Sequence, residues 1–289
     1  MIIGHSRVAR IASTAVRVTL ACVILTLAGC VPGSAHTPLP SSTPSSTRTR
    51  PTPSPSPTPP PEPPAPPPPA PPPPAGSVYP WHTGIVSTTF WVGEIFDPDA
   101  PDGSQEISTY DSDWLASYGG CDGIAADGCA TERRAAANGY FPSSMTPLQN
   151  PFYLDLPYDD INDDEGFAQR DSVIPWAAEY AAHRGDRSVS YLKNRWVELR
   201  RNGATCFGQV EDAGPGEYHD AAYVFGGDDA RPVNQRYGGA GMDVSPALTG
   251  CLGFPEVNGI ADGIQWRFVD ERDVPPGPWR TLVTTSGVR

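Results

Sequence analysis

From Val31 to Gly76 the chain is built almost wholly of Pro, Ser, Thr and Ala, closing on the run PPPEPPAPPPPAPPPPAG. Proline fixes φ and removes a backbone donor, so this stretch can enter neither a helix nor a sheet. It reads as an extended tether, rising about 3.1 Å per residue and reaching on the order of 100 Å when fully drawn out. The folding information is thereby confined to the residues beyond Gly76. Residues 77–289 hold all seven Trp of the chain and form one domain of ordinary size with enough apolar content for a core.

The segment before the tether has the character of a targeting sequence. MIIGHSRVAR is basic, and VTLACVILTLAG is apolar but too short to remain as a membrane span. It ends in LAGC, Leu27 to Cys30, which resembles a bacterial lipobox. That resemblance implies cleavage before Cys30 and a lipid on its thiol. Residues 1–29 are thus expected to be a lipoprotein signal peptide, 30–76 the disordered tether and 77–289 the functional domain, lipid-anchored at the outer face of the cell membrane. Without the signal's three arginines (Arg7, Arg10, Arg17), 17 basic residues face 33 acidic ones. Such a balance argues against nucleic-acid binding, because little is available to neutralise phosphates. Four cysteines remain in the domain, Cys121, Cys129, Cys206 and Cys251, an even number that suggests two disulfides in an exported protein. Three pairings are possible; Cys121–Cys129 with Cys206–Cys251 is favoured. The absence of a C-x-x-C spacing argues against zinc.

Within the domain, strand signals outnumber helix signals. GIVSTTFWVGEIF, PFYLDLPY, NRWVELRRN, ATCFGQVED, GIQWRFVDE and RTLVTTSG are rich in β-branched and aromatic residues and are bounded by turn formers. Two segments read as helices: PWAAEYAAHRGD, and SPALTGCLG with Ser245 as cap and Pro246 in the first turn. Short strands with Gly, Pro and Asp turns predict a mainly β fold closed as a barrel or sandwich.

The order VEDAGP, Val210 to Pro215, then His219, then DVSPALTGCLG from Asp243 resembles the double-psi β-barrel of the rare-lipoprotein-A, expansin and endoglucanase superfamily. The likeness runs roughly over residues 141–269 and is sharpest from Cys206 to Gly253. It implies a six-stranded double-psi barrel with short helices and long loops, acting on cell-wall glycan such as peptidoglycan, as a lytic transglycosylase or as a non-catalytic, expansin-like wall-loosening module. By that resemblance Asp212 and Asp243 are the acid/base pair and His219 assists them. Two carboxylates held together cannot both ionise cheaply, so one becomes an acid near neutral pH. The endoglucanase branch carries an Asp on its first strand where Val92 stands here; Glu94, two residues on, shares that face and is a candidate substitute. Glu211 is expected to face away from Asp212.

Most aromatics sit on strand patterns and read as core, whereas Tyr223 and Tyr237, in loops beside the motif, are candidates for sugar contact. The acidic stretch DDINDDEG, Asp159 to Gly166, departs from a calcium loop in spacing and reads as a solvated loop. No cofactor or metal is expected. The remaining alternative is a structural envelope lipoprotein.

Overall fold

The structure is a computed structural model that describes residues 78–96 and 104–289. The expected signal peptide, the expected lipid site at Cys30 and the expected tether lie outside the described residues. Six strands close a barrel: β1 (His82–Thr89), β2 (Tyr153–Leu156), β3 (Trp196–Arg201), β4 (Ala204–Ala213), β5 (Met242–Val244) and β6 (Ile260–Val269). Their order around the barrel is β1-β5-β2-β4-β3-β6. The pairs β1/β5 and β2/β4 are parallel; the other four are antiparallel. The fold is therefore mainly β, with short helices α1 (Trp114–Tyr118), α2 (Asp164–Val173), α3 (Ala221–Phe225) and α4 (Pro246–Cys251) in the connections. Among the described residues no helix is long and apolar enough to cross a membrane.

Alternation along the strands separates two apolar clusters. Ile85, Leu154, Leu156, Val197, Leu199, Val210, Met242, Val244 and Ile264 point into the main core. Phe90, Val92, Trp114, Tyr118 and Tyr153 form a second, smaller cluster. Tyr153 and Leu154 are neighbours on one strand yet belong to different clusters, so the smaller cluster packs against the outer face of β2.

Both disulfides have the favoured pairing, Cys121–Cys129 and Cys206–Cys251. The second joins β4 to α4, whose start is as the sequence reads: the Ser245 hydroxyl accepts from Leu248 N at 3.3 Å, with Pro246 following.

Three local expectations are corrected. The segment RTLVTTSG forms no strand, because the closed barrel has no free edge. Side chains hold it instead: Gln209 Oε1 accepts from Thr284 N, and Gln209 Nε2 donates to Thr284 O, both at 3.0 Å. PWAAEYAAHRGD yields a 3₁₀ segment, Ala177–His183, broken at Tyr180. The acidic stretch is not a solvated loop. Asp159 and Asp160 are buried; Asp159 accepts from Ile161 N and Asn162 N, Asp160 accepts from the Ser190 hydroxyl, and Asp163 caps α2.

Candidate functional site

Three aspartates line up across three adjacent strands. Asp243 on β5 is in register with Asp155 on β2, and Asp155 is in register with Asp212 on β4; Thr88 on β1 extends the row beyond Asp243. Partners in register share a face of the sheet. On either side of Asp155 and Asp243 the flanking residues, Leu154, Leu156, Met242 and Val244, point into the main core. The row therefore lies on the outer face of the barrel.

Asp212 reaches that face through an irregularity. Leu154 pairs with Val210, but the next residue, Asp155, pairs with Asp212, so Glu211 is skipped as at a β-bulge. A bulge re-aims the side chains beyond it. Strict alternation would have put Asp212 on the same side as Val210, in the core. The bulged Glu211 is buried and ion-paired to Lys193 Nζ at 2.7 Å. The two neighbours have separate partners, in line with the expected divergence of Glu211 from Asp212.

The row is partly roofed. Asp155 and Asp212 are only 4% and 7% exposed, while Asp243 is half-buried. The segment 104–111 covers Asp212: Gln105 Nε2 donates to its Oδ2 at 2.9 Å and Thr109 N to its Oδ1 at 2.7 Å, with Ala213 N adding a third bond at 2.8 Å. Asp155 Oδ1 accepts from Asp243 N at 2.6 Å. Asp243 Oδ1 is a buried oxygen with no hydrogen-bond partner.

Glu94 joins this group from the turn after β1. That turn is fixed by Glu94 N to Trp91 O, Gly93 N to Gln105 O and Gln105 N to Glu94 O, at 2.8 to 2.9 Å. Tyr153 pins it from below, its Oη accepting from Val92 N and donating to Asp122 Oδ2 at 2.8 Å. Gly93 is required here: its φ is +85°, and a Cβ would lie 2.7 Å from Cys129 Sγ. Glu94 thus arrives by a turn, where the sequence pattern suggests a continuing strand.

Electrostatics follow from the geometry. Burial raises Asp212 to about 6, although its three N–H donors favour the charged form. Burial, then the charges of Glu94 and Asp212, raises Asp243 to about 8. Asp155 is pushed well above the carboxylate range by burial and by its two aspartate neighbours. Burial raises Glu94 to about 7. The group as a whole holds protons at neutral pH and offers a donor beside an acceptor.

The other expected site residues are elsewhere. His219 is 41% exposed at its side chain, and its Nδ1 and Nε2 lie 3.3 Å and 3.7 Å from Asp163 and Glu165 at the start of α2. The loop after β4 bridges back to Tyr158, which carries the imidazole toward α2 and pairs it with those acids in place of Asp212 and Asp243. Tyr223 is fully buried, its Oη accepting from Trp266 Nε1 at 2.8 Å, so it has no face for a sugar. Tyr237 is exposed, as expected. Neighbouring Gly238 approaches Ile260, which pairs with Thr88, so this loop borders the row. Asp155 is the member of the row that sequence reasoning misses; its one signal is a lone acid at an outward position of an apolar strand. Among the described residues no three or more His, Cys, Asp or Glu side chains are placed to hold a metal ion. No protein-family model matches the chain, and no curated protein is significantly similar to it.

Proposed function

We propose that the domain is a double-psi barrel of the rare-lipoprotein-A and expansin kind that cleaves cell-wall glycan, with peptidoglycan strands as substrate. The observation that carries this reading is the row Asp243–Asp155–Asp212 with Glu94 beside it: clustered carboxyls of raised proton affinity, two of them, Asp243 and Glu94, only partly buried. The two parallel strand pairs support the double-psi assignment. In a lytic cleavage one carboxyl gives its proton to the departing glycosidic oxygen. An ionised neighbour stabilises the positive charge that develops at the sugar carbon. A hydroxyl of the same sugar then attacks that carbon, and the ionised carboxylate takes its proton. The bond to the leaving sugar is replaced by an internal anhydro bridge, with no water consumed. Tyr237, on the rim of the same face, is the candidate for stacking on the glycan. His219 has no step in this scheme. Export, a lipid on Cys30 and the Pro-rich tether would hold the domain at the outer membrane face within reach of the wall.

The test is incubation of the purified protein with peptidoglycan and mass spectrometry of the soluble products. Anhydro-sugar fragments are expected, falling on the order of 100-fold or more in Asp243→Asn. Unchanged release by Asp243→Asn would refute the assigned chemistry. The covered state of Asp155 and Asp212 favours a second reading, a non-catalytic module that grips glycan through its outer face. Sedimentation with the wall without product release would select it.

A further inference from the structure

The three carboxyls of the row are not equivalent in their hydrogen bonding. Asp212 receives three N–H donors, from Gln105, Thr109 and Ala213. Asp155 receives the amide of Asp243, and the Asp243 carboxyl has the Thr88 amide as a donor while its Oδ1 has none. Each donor bond to a carboxylate favours its charged form, whereas a buried carboxyl oxygen without a donor favours the protonated one.

We infer that Gln105 is a positioning residue that makes Asp212 the ionised member of the row and leaves Asp243 as the proton carrier. Besides the backbone amides of Thr109 and Ala213, Asp212 has side-chain donors in Gln105 and the Thr109 hydroxyl, and of these two side chains it is Gln105 whose backbone also ties down the Glu94 turn. Gln105 is also tied to the acid on the other side of the group. Its backbone N donates to Glu94 O at 2.8 Å and its carbonyl accepts from Gly93 N at 2.8 Å. One residue therefore spans the cluster, orienting Asp212 through its side chain and the Glu94 turn through its backbone. The segment containing Gln105 is partly exposed.

The charged and titratable groups around Asp212 are acids, apart from one cation already engaged. Asp155 faces it from β2, Asp243 from β5, and Glu211 precedes it on β4 with Lys193 locked as its partner. Tyr110, in the covering segment, is itself held protonated by burial and by the charges of Asp160, Asp159 and Asp212. The charge on Asp212 is thus supported by hydrogen bonds, and removing a donor should return its proton.

As a role in catalysis this inference rests on the glycan-cleaving reading; as a statement about ionisation it does not. The experiment is carboxyl-carbon NMR titration of Asp212 in the full chain and in Gln105→Leu and Gln105→Lys, alongside the pH profile of product release. Gln105→Leu should raise the Asp212 midpoint by about one pH unit and move the low-pH limb of activity with it. Gln105→Lys, which restores an N–H donor and adds charge, should bring both back to or below the wild-type position. Gln105 lies outside both apolar clusters, so the variants should keep the wild-type circular dichroism spectrum. An Asp212 midpoint unmoved in Gln105→Leu overturns the inference. If wild type releases no product, the functional reading fails, while the titration still decides the assignment to Gln105.

Discussion

Glu211 and Asp212 are adjacent, chemically similar and both buried, yet one is locked to Lys193 and the other joins a row of acids. The sequence shows that neighbours on a strand diverge; it does not show which of them shares the face of Asp243. The skipped residue between two cross-strand pairs decides that. Asp155 is legible only as an acid in an apolar strand, and its importance depends on the register of β5 and β4 on either side of it. Tyr223 misleads because its loop folds into α3, turning the ring into the core. Close packing beneath the site is equally local. A Cβ on Gly208 would lie 2.9 Å from both Phe152 O and Leu248 Cδ1. Gly208→Ala should therefore cost about 1–3 kcal/mol in urea denaturation. Gly227→Ala, with nothing within 4 Å of its Cβ, should be close to neutral.

Among the strands, β2, β3, β4 and β6 are marked by their own residues. The strand β1 is marked but overextended, since Gly93 turns the chain after Thr89. The strand β5 is three residues long, and no periodicity can be read from so short a run. Its place is fixed by neighbours on both sides, which is tertiary information. The helix α2 has almost no amphipathic stripe; only its acidic cap and first turn announce it. The helix α4 is legible through Ser245 and Pro246, and it is also stapled to β4. The Cys206–Cys251 bond joins positions 45 residues apart. Closing a loop of that length restricts the unfolded chain by about 4 kcal/mol in the chain-entropy account. Replacing both cysteines with Ala should lower Tm by about 10 °C. A change of only a degree or two would show that the strand and helix are held by packing alone.

For the domain as a unit, the consequence of gathering acids on one face is a dependence of stability on pH. Asp212, Glu94 and Asp243 hold protons to about 6, 7 and 8 in the folded state. In the unfolded chain carboxyls release them near 4. Between those limits the native state binds more protons, so stability falls as pH rises. Buried His82 acts in the opposite sense. Its folded value is lowered to about 4 by burial, so it adds stability as pH rises toward the ordinary histidine value near 6.5 and nothing further above it. The window from about pH 6.5 to 8 therefore isolates the acids. The sharpest test of the proton-holding row is the urea midpoint of wild type and Asp243→Asn across that window. The expected midpoint declines steadily in wild type and is distinctly flatter in Asp243→Asn. A wild-type midpoint that stays level or climbs toward pH 8 would contradict the assignment, because the row would then carry no proton to lose.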